Sequence, residues 1–82
     1  MLELFHFEDC PYCQKVRRVM EKLDVSYMSH PSPSGSIKRD FLLKFVSESE
    51  LRFPLLVDVE KNVFMFESED IIKYLEKNHG KK

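Results

Sequence analysis

The stretch LELFHFEDCPYCQKVRRVM, residues 2–20, contains a change of period that decides the reading of the whole chain. From Leu2 to Phe7 the side chains fall into two alternating sets, Leu2, Leu4 and His6 against Glu3, Phe5 and Phe7. That is the period of a strand, and both sets are apolar enough for an internal one. From Pro11 onward the period lengthens. Val16, Val19, Met20 and Leu23 recur at helical spacing, Cys13 extends the stripe backwards, and Lys15, Arg17, Arg18, Glu21 and Lys22 cover the other faces. Pro11 suits the first helical position, where a missing N–H costs nothing. The only two cysteines, Cys10 and Cys13, therefore stand where a strand hands over to a helix.

Working outward, VSYMSH (25–30) reads as a second strand and PSPSGS (31–36) as an irregular loop. From Ile37 to about Glu48, Phe41, Leu42, Phe45 and Val46 form a second helical stripe. PLLVDV (54–59) and VFMFE (63–67) read as strands joined by the polar turn Glu60-Lys61-Asn62. Ser68 reads as an N-cap, with Glu69 and Asp70 at the positive end of a helix dipole. Ile71, Ile72 and Leu75 are its inward face, Lys73, Lys77 and the closing lysines 81 and 82 lie toward its negative end, and Gly80 is placed to end it. The order is β-α-β-α-β-β-α, an α/β arrangement with no internal repeat and no linker. The first two strands should be parallel through a crossover helix and the last two an antiparallel hairpin. The first strand is then central, and ligands bind beyond the carboxyl end of a strand where the chain switches sides.

The totals narrow the classes. Eighty-two residues with 43% apolar content and seven phenylalanines imply one domain, 1–82, with its own core. A net charge of −1 gives no basic footprint for nucleic acid. No apolar run approaches the ~20 residues that span a membrane, and the N-terminus lacks the pattern of a secretory signal. Two cysteines this close staple nothing, so a cytoplasmic setting with a redox or metal-binding pair is expected.

With Cys10 at the N-cap, Cys13 follows one turn later and the two sulfurs can meet. The N–H groups of the first turn and the helix dipole favour a thiolate at Cys10, while Glu8 and Asp9 oppose it. The stripe predicts an exposed, attacking Cys10 and a shielded, resolving Cys13. The other reading is half a zinc site completed by His6, His30 or His79, but zinc needs four ligands and no second cysteine knuckle exists.

With strand, CPYC, helix and the later RFPLLVD (52–58) in place, the chain resembles a glutaredoxin of the thioredoxin-fold superfamily over nearly its whole length. The resemblance implies a four-stranded mixed sheet flanked by helices and catalytic roles for Cys10 and Cys13. It implies no tightly bound cofactor and no metal, with glutathione as co-substrate. It also implies a cis Pro54 and a Phe53 backbone that pairs with glutathione as an added strand would, with Tyr12 packing beside the sulfurs. ESEDI (67–71) departs from the Gly-Gly-x-x-Asp of many glutaredoxins and is similar to the Glu-Ser-x-x-Ile of glutathione transferase N-terminal domains. There Glu67 and Ser68 would hold the γ-glutamyl end of glutathione. Many glutaredoxins carry Lys three residues before the first cysteine; here it is Phe7, so the charge that meets the glycyl carboxylate must come from elsewhere, with Arg52, Lys38 and Arg39 as candidates.

The function implied is a glutathione-dependent thiol–disulfide oxidoreductase, a monomer whose partners are glutathione and disulfide-containing or glutathionylated proteins. Two alternatives stand beside it: an electron donor fed by thioredoxin reductase, and a non-catalytic module binding glutathione, a metal or a cluster. The chain lacks a transferase's helical second domain, and the Pro in CPYC disfavours a cluster.

Overall fold

The computed structural model describes residues 1–80. Its elements are β1 (Leu2–His6), α1 (Pro11–Lys22), β2 (Tyr27–Pro31), α2 (Ile37–Leu42), β3 (Leu55–Asp58), β4 (Val63–Met65) and α3 (Ser68–Asn78). They form one four-stranded sheet in the order β2-β1-β3-β4. β1 runs parallel to β2 and antiparallel to β3, which pairs antiparallel with β4. The fold is the α/β, thioredoxin-type arrangement expected, with β1 internal and the cysteine pair beyond its carboxyl end.

The period-two side chains of β1 divide as the sequence implies. Leu2, Leu4 and His6 are buried, while Glu3 and Phe5 are partly exposed. Leu2 and Leu4 meet Val16 and Met20 of α1, Leu56 of β3, and Ile71 and Leu75 of α3 in one core. Each such fully buried side chain contributes about 1.5–3 kcal/mol. Val19, Leu23 and Ile72 pack against the edge of this cluster, as their stripe positions require. Asn62 takes a left-handed φ of 58° in the β3–β4 turn, a conformation its short polar side chain tolerates. Gly80 follows the C-cap His79, and a Cβ there would meet the Glu76 carbonyl oxygen at 2.5 Å, so only glycine fits without a shift. Lys81 and Lys82 lie outside the described residues. No helix among the described residues is long and apolar enough to cross a membrane.

Several boundaries differ from expectation: β3 covers Leu55–Asp58 rather than 54–59 and β4 stops at Met65 rather than Glu67, and three further differences have a local cause. β2 begins at Tyr27 rather than Val25: the Val25 N–H is taken by the Met20 carbonyl at the end of α1, so it cannot join a ladder. α2 stops at Leu42. The N–H groups of Lys44 and Phe45 then bond carbonyls three residues back, tightening the chain out of the helix. Its stripe does not reach the core. Leu42 and Val46 are half-buried, whereas Phe41 and Phe45 are exposed and pack edge-to-face on each other. Ser68 is not the N-cap of α3. Glu67 holds that position, without a side-chain capping bond, and Ser68 is the first helical residue, buried.

Candidate active site

The short loop from β1 into α1 is held by its own backbone. The Cys10 N–H donates to the Phe7 carbonyl at 3.3 Å, and the Gln14 side chain donates to the Glu8 carbonyl at 2.9 Å. Cys10 is the N-cap of α1: its sulfur accepts the Cys13 N–H at 3.2 Å, and Pro11 follows at the first helical position. A helix-start N–H aimed at sulfur is a stronger bond when the sulfur is negative. Both thiols are free.

The expected contrast in exposure is absent, because Cys10 is not the exposed residue the stripe implied. Cys13 is fully buried, but Cys10 is also only 4% exposed. Its thiol lies under the Phe53 carbonyl, to which it donates a weak bond at 3.9 Å, and its access is through a cavity. What separates the two sulfurs is their chemistry. Burial pushes the Cys13 thiol up to about 12, and the hydrogen bond to the Cys10 sulfur acts the same way. Cys13 rests as a neutral thiol.

The cavity over Cys10 has a volume of about 710 Å³, in the range that suits a small organic ligand. It draws Tyr12, Phe53, Pro54, Glu67 and Ser68 together with Cys10, every expected site residue except the buried Cys13. Tyr12 stands 62% exposed at its rim. The Phe53–Pro54 peptide bond is cis, as expected. Glu69 also lines the cavity, and its carboxylate is held by Lys15 of α1, which lowers it from its ordinary value. Glu8 and Asp9 are both exposed; Asp9 lines the cavity and Glu8 does not.

Position 7 shows what sequence reasoning left open. Phe7 and Phe53 meet edge-to-face at 5.9 Å, and the Arg39 guanidinium lies 5.1 Å from one ring centre and 4.6 Å from the other. Arg39 Nε donates to the Ser32 carbonyl at 2.7 Å, which fixes the guanidinium plane. Arg39 and Arg52 line the cavity; Lys38 does not. The three histidines do not gather at the cysteines as a zinc site would need. His6 bonds Ser29, His30 bonds Glu3, and His79 bonds Asp58.

The profile of the glutathione S-transferase N-terminal domain family matches residues 4–82. The chain belongs to that family. The match supports the thioredoxin-fold superfamily and the transferase side of the resemblance rather than glutaredoxins in particular. A delta-class glutathione transferase from Nilaparvata lugens superposes with a TM-score of 0.83 at 19% identity, covering 100% of this chain and 38% of that one. Isozyme E7 of the Drosophila melanogaster glutathione S-transferase gives 0.82 at 24% identity, covering 100% and 36%. Human glutathione S-transferase T1-1 gives 0.77 at 21%, covering 96% and 32%. At these identities the superpositions establish the fold, and this N-terminal-domain family chain spans well under half of each of those proteins. No curated protein sequence matches it.

Proposed function

We propose that this glutathione S-transferase N-terminal-domain chain acts as a glutathione-dependent thiol–disulfide oxidoreductase of the glutaredoxin kind, with residues 1–82 forming a single domain. The observation that carries the reading is the pair of free thiols on one helical turn, Cys10 opening into the cavity and Cys13 buried behind it. A transferase needs one group to activate glutathione; a dithiol is what disulfide exchange uses.

The Cys10 thiolate attacks the glutathione sulfur of a protein–glutathione mixed disulfide. The S–S bond breaks, the protein thiolate leaves with its electron pair and takes a proton from water, and Cys10 carries glutathione. A second glutathione thiolate then attacks that sulfur and releases oxidised glutathione. With a protein disulfide, Cys13 attacks instead and closes the Cys10–Cys13 bond. Dithiols of this class have potentials of roughly −200 to −230 mV, near the glutathione pool, so the pool sets the direction.

The cavity offers glutathione a group for each of its ends. Glu67 meets the ammonium, and the first N–H groups of α3, which have no intrahelical acceptor, meet the γ-glutamyl carboxylate beside Ser68. The Phe53 backbone pairs with the cysteinyl residue, and Tyr12 covers the sulfurs. Arg39, presented by the two phenylalanines, takes the glycyl carboxylate that a Lys at position 7 would otherwise meet. Arg39→Leu should raise the KM for glutathione about tenfold with kcat nearly unchanged, the loss of one charge-assisted pair. Glu67→Gln, at an exposed position, should raise it only about threefold. Unchanged KM values in a steady-state assay would remove those roles.

The family match favours a second reading, a glutathione-binding domain that works as part of a larger transferase. One comparison separates them. The oxidoreductase turns over a glutathione mixed disulfide in the presence of glutathione and glutathione reductase. A transferase domain joined to its partner domain conjugates an electrophilic aromatic and does not need both cysteines. Turnover only with thioredoxin reductase would point to an electron donor outside both readings.

A further inference from the structure

Asp9 is the residue before the attacking cysteine; it is exposed, and it lines the cavity over Cys10. A carboxylate in that place works against the thiolate that the chemistry needs, so it asks for a reason. The loop that carries it is pinned on both sides. The Cys10 N–H donates to the Phe7 carbonyl at 3.3 Å, and the Gln14 side chain donates to the Glu8 carbonyl at 2.9 Å. The ion pairs among the described residues engage Glu60, Glu69, Glu3 and Asp58, and Asp9 is in none of them.

The other charged groups of the cavity have work to do. Lys15 holds Glu69. In the complex proposed above, Glu67 meets the ammonium of glutathione and Arg39 its glycyl carboxylate. Arg52 borders the neighbouring cavity as well, where it stands among Glu50, Glu67 and Asp70. Bound glutathione therefore leaves the Asp9 carboxylate unmatched. The part of a mixed disulfide still to be accommodated is the other half, the chain that carries the departing cysteine. We propose that Asp9 selects protein substrates whose reacting cysteine has a lysine or arginine beside it.

The reaction gives such a cation two tasks. The Cys10 thiolate attacks the glutathione sulfur, the S–S bond breaks, and the protein sulfur leaves as a thiolate with the electron pair. Negative charge then develops near Asp9, and like charges repel. A cation beside the substrate cysteine pairs with Asp9 and at the same time stabilises the leaving thiolate. A thiol made more acidic in this way also leaves faster. A glutamate in its place would meet Asp9 as a like charge and favour the departing sulfur less. The selection falls on cysteines that need clearing, because the thiolate character a neighbouring cation confers is also what makes a cysteine prone to glutathionylation.

This inference rests on the oxidoreductase reading, and its test compares two substrates of one enzyme. Two peptides each carry a single cysteine as the mixed disulfide with glutathione, one with lysine on both sides of it and one with glutamate. Each is turned over with glutathione, glutathione reductase and NADPH, and the readout is the ratio of their kcat/KM values. The ratio cancels any change in Cys10 itself, which attacks both peptides. Asp9→Asn should lower the lysine-over-glutamate ratio about threefold at low salt, the worth of an exposed ion pair. Asp9→Lys should lower it about tenfold, because attraction and repulsion then change places. Both shifts should vanish in salt of about 1 M, where screening acts within ~3 Å. Glu8→Gln is the control: Glu8 is exposed and carries the same charge one residue away, but it lies outside the cavity, so its loss should move the ratio less than Asp9→Asn does. A ratio unmoved by both Asp9 variants, moved equally by Glu8→Gln, or shifted just as far in high salt overturns the selection and leaves the oxidoreductase reading standing. A wild-type protein that turns over neither peptide overturns both.

Discussion

Replacing Cys10 with serine should abolish turnover of every disulfide substrate, by about 10⁴-fold or more, because no other sulfur opens into the cavity. Cys13→Ser should behave quite differently. A second glutathione can take over the resolving step on a mixed disulfide, so that activity should stay within a few-fold of wild type. Reduction of a protein disulfide should fall steeply, since the first mixed disulfide then has no internal thiol to clear it. The asymmetry follows from placement. Cys10 receives the Cys13 N–H at the helix start, while burial holds Cys13 as a neutral thiol, up to about 12. The two activities are measured side by side in the glutathione reductase-coupled assay. If Cys13→Ser is the variant dead in both, the roles are reversed. If a transferase conjugation survives Cys10→Ser intact, the chain uses its cavity without its thiols.

The parts of this arrangement that were legible in the sequence are those fixed by local chemistry. The alternation of 2–7 and the stripe through Cys13, Val16 and Met20 survive because the same residues make the core. Pro11 beside Cys10 set the N-cap, whereas the cis Pro54 came only from the glutaredoxin resemblance. What was not legible depends on where an element lands. The stripe of α2 is as regular as that of α1, yet among the described residues it joins no core, and Phe41 and Phe45 end up facing out. Periodicity states which side chains share a face but not whether that face finds a partner. Cys10 carries no sequence sign of burial, because its cover is the Phe53 carbonyl from 43 residues away. Arg39 could be placed among three candidate cations, but its choice needed Phe7 and Phe53 together beneath it. A Phe where many glutaredoxins carry Lys, with an Arg on α2, is the pair of signals that could have found it. His79 and Asp58 were separate in the sequence reading: the first seemed a zinc candidate, the second a strand residue.

Asp58 and His79 in fact form the buried polar cluster on which the response of the fold to pH should turn. Asp58 is 2% exposed at the end of β3, and its carboxylate accepts the Tyr74 hydroxyl at 2.6 Å and His79 Nε2 at 3.1 Å from α3. Burial works against its charge, but the Tyr74 and His79 bonds and the Lys61 backbone N–H outweigh it and lower the carboxyl from its ordinary value. A carboxyl lowered on folding stabilises the native state above its unfolded value, near 4, and that stability is lost as pH falls through the lower native one. Tyr74 has the opposite sign. Burial and the bond to Asp58 push it up to about 12, so its contribution is complete below about 10 and is lost as pH rises toward 12. Cys13, also raised to about 12, loses its share over a similar range, starting from 9.0. Asp58→Ala should cost about 3 kcal/mol by leaving the Tyr74, His79 and Lys61 donors without their acceptor, which lowers Tm by roughly 15 °C in a domain of this size. Tyr74→Phe should cost about 1–2 kcal/mol and flatten the alkaline limb, and adding Cys13→Ser should flatten it further. The check is urea unfolding of the reduced protein across pH 3 to 11, with Asp58→Asn as the acid-limb control. A wild-type acid limb retained in full by Asp58→Asn would place the acid sensitivity on another carboxylate, and an alkaline limb unchanged in the double variant would mean that neither hydroxyl nor thiol is held neutral by the fold.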